Sequence, residues 1–169
     1  MDTQILARLT REMTAYYAAD PARVQHFMKV YAFSHTIALL ENCDEALRFV
    51  LEAAALVHDI GIKPSEAKYG SCAGPYQELE GPPVAREMMQ KLGFAPDVIE
   101  RVCWLVGHHH TYDPIDGTDH QILVEADFLV NLFEGNKDRD AIESACRRIF
   151  KTEAGKTLCR QMFGLAEEE

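Results

Sequence analysis

The sequence predicts an all-α fold, a single-domain helical bundle of about seven helices. Apolar residues recur at helical spacing through most of the chain. Helix-starting residues, such as Asp20 before Pro21, alternate with glycines that typically end helices. Only residues 101–106 have the composition of a strand, and Pro96 ahead of them favours a helix. The 169 residues are 47% hydrophobic, which suits one domain with a substantial core.

Capping residues, glycines and prolines set the expected order of elements. We expect helices over about 2–19, 21–41, 44–59, 77–92, 96–106, 119–134 and 138–166, with a frayed tail at 167–169. Residues 61–75 are rich in glycine and proline and are predicted to be a loop. A second irregular segment is expected over 107–117. The start of the fourth helix is open, because Gly81-Pro82-Pro83 either bends it or begins it.

Composition excludes several classes of function. The net charge is −10 and the isoelectric point is about 5.1, so the surface repels phosphate backbones and binding to a nucleic-acid duplex is not expected. The mean hydropathy is −0.19, and neither a membrane span nor a signal peptide is recognisable. The expected location is therefore cytoplasmic. The five cysteines are odd in number and widely spaced, which argues against disulfides and a cysteine zinc site.

Several ionisable residues fall on helix faces that should be apolar. His26 shares a face with Val30 and Phe33, whereas His35 lies about half a turn round the helix. Asp127 lies in an apolar stripe that runs from Leu123 to 130. A buried carboxylate costs several kcal/mol on typical transfer scales unless it is paired, so Asp127 needs a cation, a metal or strong donors. The simpler interpretations are a hydrogen-bonded core histidine and a structural salt bridge.

Two further groups stand at helix ends. His58-Asp59 closes an apolar helix just before Gly61, and His108-His109-His110 follows the helix at 96–106. A helix-ending histidine with a loop cap, and a solvated polar loop, are the alternatives. Imidazole and carboxylate are ligands for Fe, Mn, Co, Ni or Zn. Convergence in a helical bundle would compensate the charges of all these groups at once.

The order His26, His58-Asp59, Asp127 resembles the H…HD…D signature of the HD-domain superfamily. The sequences around these residues, at 23–30, 55–61 and 126–129, are similar to those of the family as well. The resemblance covers about residues 20–135, with C-terminal helices over 138–166 beyond it. It implies an all-α bundle and, most often, metal-dependent phosphohydrolase activity. It also implies one or two divalent ions (Fe, Mn, Co, Ni, Zn or Mg), held by His26, His58, Asp59 and Asp127.

A two-metal subgroup of that family carries additional histidines. His108-His109, with Asp113 four residues later, resembles its histidine pair, with His110 where that subgroup has Glu. The subgroup's intermediate histidine is missing, and Gln77 stands at its place, four residues before Gly81. Glu78 and Glu80 lie nearby as possible substitutes. Four residues are therefore candidates for a second metal or for catalysis: His108, His109, Gln77 and Glu80.

The expected reaction is hydrolysis of a small phosphorylated metabolite or nucleotide by metal-activated water. Lys63 and Lys68, just past the His58-Asp59 turn, are candidates to bind the substrate phosphate, with a solvated loop as the alternative. Three tyrosines are candidates to line a pocket for a base or sugar: Tyr69, Tyr76 and Tyr112.

Two other functions stay open at this point. One is a mixed-valent di-iron oxygenase, which the histidines allow and the missing histidine at Gln77 disfavours. The other is a non-catalytic, metal-stabilised binding module. The sequence specifies neither the substrate nor the oligomeric state.

Overall fold

The computed structural model describes residues 3–166, and over that range its regular elements are all helices, which confirms the all-α prediction. The described part contains nine helices rather than about seven. They are α1 Thr3–Tyr16, α2 Pro21–Leu40, α3 Glu45–Ala55, α4 Ile62–Tyr69, α5 Gly74–Leu92, α6 Pro96–Val106, α7 Gly117–Glu134, α8 Arg139–Ile149 and α9 Glu153–Phe163. The tail at 167–169, expected to be frayed, lies outside the described residues.

The expected helix starts are found at three aspartates. The carboxylates of Asp20, Asp44 and Asp138 each accept a hydrogen bond from the backbone N–H three residues later. Each therefore satisfies one of the N–H groups that the first turn of a helix leaves unpaired.

Helix α3 lies at the centre of the bundle and packs against α2, α6 and α7. Its second half and the turn that follows, residues 53–57, are fully buried. The three alanines at 53–55 have small side chains, which allow the neighbouring helices to approach closely. The helix therefore delivers His58 and Asp59 to the interior, where α2, α6 and α7 meet.

The predicted loop at 61–75 is wrong in its first half, because α4 occupies Ile62–Tyr69. Pro64 lies in the first turn, where a helix needs no backbone N–H from it. Gly70 ends α4 in the left-handed conformation, at a φ of 64°. The glycine and proline that indicated a loop are the end signals of a short helix.

Helix α5 settles the open question about its start. It begins at Gly74 and continues through Pro82 and Pro83. A Cβ on Gly81 would lie 2.6 Å from Val106 Cγ1, and one on Gly61 would lie 2.5 Å from the carbonyl oxygen of Gln77. These two glycines therefore allow α5 to pack closely against α6 and against the turn that carries His58 and Asp59.

The C-terminal segment over 138–166 is helical as expected, but the one long helix expected from Asp138 is wrong, because α8 and α9 are separate. Phe150 between them is extended and 1% exposed. The buried carboxylate of Glu125 on α7 accepts hydrogen bonds from the backbone N–H groups of Lys151 (2.6 Å) and Thr152 (2.9 Å). These contacts interrupt the helix, and Thr152 then caps α9.

Two compositional expectations can be compared with the structure. None of the helices in the described range has the length and apolarity needed to cross a membrane. All five cysteines are free; Cys103, Cys146 and Cys159 are buried, whereas Cys72 is exposed.

Candidate metal centre

Six ionisable side chains meet where α2, α3, α6 and α7 approach one another. His26 comes from α2, Asp127 from α7, and His58 and Asp59 from the turn after α3. His109 and His110 come from the turn after α6. Five are nearly or fully buried, with side-chain exposures of 10% for His26, 0% for His58 and His109, 13% for Asp59 and 4% for Asp127.

Within the cluster, the Nε2 atoms of His26 and His58 lie close to two carboxylate oxygens. His26 Nε2 lies 3.2 Å from Asp127 Oδ1 and 3.4 Å from Asp59 Oδ2. His58 Nε2 lies 3.5 Å from Asp127 Oδ1 and 3.6 Å from Asp59 Oδ2. The two Nε2 atoms are 3.2 Å apart. One small volume is therefore surrounded by two nitrogens and two carboxylates.

The hydrogen bond made by Nδ1, on the side of each imidazole that faces away from the cluster, fixes its tautomer. The Nδ1 atoms of His58 and His109 lie 2.8 Å from the carbonyl oxygens of Ala55 and Val106, which can only accept a hydrogen bond. His26 Nδ1 lies 2.9 Å from Glu134 Oε2. Each Nδ1 therefore carries a proton, and in the neutral ring the Nε2 lone pair faces the cluster.

This arrangement calls for a cation. Without one, the lone pairs of His26 and His58 would oppose each other and the carboxylates, which is unfavourable in a buried site. A proton or a divalent ion resolves the conflict. Imidazole Nε2 and carboxylate oxygen are also suitable ligands for a transition metal, so these residues fit the ion that the sequence implies.

The pKa values of the cluster side chains also indicate that a positive charge is favoured at this position. Burial opposes protonation of His26, but the hydrogen bond to Asp127 and the charges of Asp59 and Asp127 outweigh it and raise the pKa of His26 to about 9. Burial alone would raise the pKa of Asp127, yet hydrogen bonds from His26 and His58 hold it well below its usual range. The pKa of Asp59 falls to about 2 despite its burial, chiefly because of His58 and His109.

A second group of ligand atoms adjoins the first and shares Asp59. His109 Nε2 lies 3.0 Å from Asp59 Oδ1, and His110 Nε2 lies 4.0 Å from the same oxygen. Burial and then His109 lower the pKa of His110 to about 4, so its imidazole is neutral at physiological pH. Its buried Nε2 has no hydrogen-bond partner among residues 3–166. Asp59 thus belongs to both groups of potential metal ligands.

The remaining predicted second-site residues, His108, Glu80 and Gln77, make their contacts outside this group. His108 points away, with its ring stacked on Trp104 at 4.1 Å between centroids and Nδ1 2.7 Å from the Trp104 carbonyl oxygen. Glu80 pairs instead with Lys68 and Tyr69. Gln77 is buried and donates from Nε2 to the Cys72 carbonyl oxygen at 2.8 Å, while its Oε1 has no partner in the described structure.

Both predicted phosphate-binding lysines are engaged elsewhere. Lys63 Nζ donates to the carbonyl oxygen of Tyr16 at 2.9 Å, and Lys68 pairs with Glu80. Of the three tyrosines, Tyr69 and Tyr76 stack on each other at 4.3 Å, and Tyr112 packs edge-on against Phe128.

Three residues near the ligands were not singled out in the sequence. Asn131 Nδ2 donates to Asp127 Oδ1 at 2.8 Å, and Glu134 accepts from His26. They follow Asp127 by four and seven residues, so helical spacing from Asp127 would have indicated both. Arg23 lies one turn before His26 and bonds Glu66 Oε1 at 2.6 Å.

A cavity of about 210 Å³ opens beside the first group of ligands. It is lined by Ala22, Arg23, His26, Phe27, Asp59, Ile62, Asn131 and Glu134. Its volume is below the range of roughly 300–1,000 Å³ that is usual for drug-sized ligands, so it suits a small molecule or a group such as a phosphate.

Comparison with known proteins agrees with this geometry. The family model described as HD domain matches residues 23–151, which include every side chain of both ligand groups. No curated protein and no solved structure gives a significant match to the chain. Because the model spans most of the sequence and its ordered histidines and aspartates form one buried cluster, the chain belongs to the HD domain family.

Proposed function

We propose that this protein is a metal-dependent phosphohydrolase that acts on a small phosphorylated metabolite or nucleotide. The observation that carries the proposal is the convergence of imidazole Nε2 atoms, each with its Nδ1 proton fixed, on Asp59 and Asp127 beside an open cavity. A divalent ion, when bound, polarises a phosphoryl oxygen and lowers the pKa of water toward neutrality.

The protein side chains supply position and charge. Asp127 is held by Asn131 as well as by the two histidines, so its oxygen has little freedom to move. Asp59 presents Oδ2 to His26 and His58, and Oδ1 to His109. This division suits a carboxylate that bridges two ions, a common arrangement in phosphoryl-transfer sites.

Arg23 replaces Lys63 and Lys68 as the proposed phosphate-binding residue. It lines the cavity that also contains His26 and Asp59. Its guanidinium is bound to Glu66, whose side chain is 43% exposed, and an exposed ion pair of this kind is weak. Binding of Arg23 to a substrate phosphate in place of Glu66 therefore costs little free energy. Arg23 would then provide a local cation on a protein of net charge −10.

The test is phosphate release from a panel of phosphomonoesters and nucleotides by untagged protein supplied with Mn²⁺, Zn²⁺, Fe²⁺ or Mg²⁺. Replacement of His58 and Asp59 together by alanine should abolish both metal binding and turnover. His35→Gln is the matched control, because His35 lies on another face of α2, where it bonds Glu52 of α3, and its replacement should not affect metal content. Arg23→Met should raise KM, whereas Lys63→Met should not.

Two results would contradict the proposal. Full metal content in the His58/Asp59 variant would show that the ion binds elsewhere. Stable metal binding without release of phosphate from any substrate would favour a binding module. The paired ligand groups around Asp59 also allow a di-iron oxygenase, which is recognised by two irons per chain and consumption of oxygen.

A further inference from the structure

Glu134 stands behind the metal ligand His26, on the side that faces away from the cluster. Its Oε2 accepts a hydrogen bond from His26 Nδ1 at 2.9 Å, and its Oε1 accepts one from Lys29 Nζ at 3.0 Å. The three side chains form a row that runs from the protein surface to the centre. The other buried ligand histidines, His58 and His109, donate instead to backbone carbonyl oxygens.

This difference has chemical consequences. A backbone carbonyl is neutral and is fixed by the fold, whereas a carboxylate carries charge and can be changed by mutation. A carboxylate that accepts the Nδ1 proton of an imidazole fixes the ring orientation and makes the opposite nitrogen a stronger ligand. Among His26, His58 and His109, only His26 therefore has a donor strength that depends on a side chain.

We propose that Glu134 is a positioning residue that sets the strength of His26 as a metal ligand, with Lys29 moderating its charge. The proposal rests on the proposed metal centre and adds to it a control of ion affinity. Two features of α7 support it. Glu134 lies seven residues, about two helical turns, after Asp127, so one helix face carries both a ligand and the residue that orients another ligand. The side chain of Glu134 is 31% exposed, so it is not needed to fill the core.

The experiment is a titration of metal-free protein with Zn²⁺ in competition with a chromophoric chelator. Glu134→Ala should weaken the binding of Zn²⁺ and raise its Kd by roughly 10- to 100-fold, the usual effect of losing such a partner. Glu134→Gln should weaken it less, because its amide oxygen still accepts the Nδ1 proton but carries no charge. Lys29→Met should bind at least as tightly as the wild type, since Glu134 then keeps its full negative charge.

Glu52→Gln is the matched control. Glu52, on α3, makes the same kind of bond at 2.7 Å with Nδ1 of His35, which lies on a face of α2 away from the cluster. This variant should leave the Kd for Zn²⁺ unchanged. A nitrogen–proton correlation spectrum of the imidazoles gives a second readout, in which the His26 Nδ1 proton signal of zinc-loaded protein should shift in Glu134→Gln while those of His58 and His109 remain.

The outcomes separate this inference from the proposed function. Unchanged affinity in both Glu134 variants would overturn the role of Glu134 and leave the metal centre intact. Loss of affinity in proportion to a lower unfolding temperature of the metal-free protein would show a merely structural role and would also overturn it. Failure of the wild-type protein to bind Zn²⁺ would overturn both.

Discussion

His108, His109 and His110 follow α6 in a turn, and their side chains diverge. His109 bonds Val106 through Nδ1 and faces Asp59 through Nε2. His110 joins it with a neutral ring and a buried, unpartnered Nε2. His108 instead stacks on Trp104. Three identical side chains thus have different environments, and only His109 and His110 belong to the second group of ligands.

This divergence predicts different effects of three single substitutions. His109→Gln and His110→Gln should each lower the metal content of a protein that binds two ions, because each removes an imidazole beside Asp59 Oδ1. His108→Gln should leave the metal content unchanged. Elemental analysis of untagged variants measures this. Loss of metal in His108→Gln would show that the turn rearranges when an ion binds.

The sequence indicated most of this cluster because ionisable residues beside apolar helical sequence are energetically costly. His26 and Asp127 stood out on apolar helix faces and His58-Asp59 at the end of an apolar helix, and the structure brings the four together. Which of the histidines at 108–110 face Asp59 could not be predicted, since the orientation of consecutive residues in a turn depends on tertiary contacts. Lys63 and Lys68 were chosen by nearness in sequence, and α4 turns both toward other partners.

At the level of elements, Glu125 determines where α8 ends and α9 begins. Its buried carboxylate accepts hydrogen bonds from the backbone of Lys151 and Thr152, from Thr152 Oγ1 and from Gln121 Nε2. The segment between α8 and α9 contains neither glycine nor proline, and its one local sign of a new helix is the capping residue Thr152. The contact joins residues 26 and 27 positions apart, beyond the reach of any local pattern.

Replacement of Glu125 should therefore destabilise the protein without affecting the metal centre. In Glu125→Ala the backbone N–H groups of Lys151 and Thr152 and the side-chain amide of Gln121 lose their shared acceptor. Unsatisfied buried donors cost roughly 1–3 kcal/mol each, so the free energy of unfolding should fall by about that amount or more. Chemical denaturation measures it, and the Kd for Zn²⁺ should remain that of the wild type. A stability equal to the wild type would mean that other contacts hold α8 and α9 apart.

At the level of the whole molecule, the metal centre joins elements that are distant in sequence. Its two ligand groups connect α2, the turns after α3 and α6, and α7. An ion bound there contacts only the folded arrangement, so binding stabilises the bundle. In the metal-free protein a proton on His26 serves part of that purpose, because it lies between Asp59 and Asp127. Proton and metal therefore compete for the same position.

This competition predicts how stability depends on pH. Despite burial, the neighbouring carboxylates raise the pKa of His26 from 6.5 to about 9 on folding. A histidine whose pKa is raised on folding stabilises the folded state. This stabilisation is complete when the pH is below the pKa of the unfolded chain, and it is lost as the pH rises through about 9. The unfolding temperature of metal-free protein should therefore fall between about pH 7 and about pH 9.5.

The metal-loaded protein should respond differently over the same range. A bound ion takes the place of the proton and needs the neutral imidazole, so its stabilising effect grows with pH. The gap between the unfolding temperatures of loaded and metal-free protein should widen as the pH rises at a fixed free Zn²⁺ concentration. Ionisation of cysteines and tyrosines far from the ion affects both forms alike and cancels in the difference. A gap that stays constant or narrows would show that His26 does not exchange its proton for the ion.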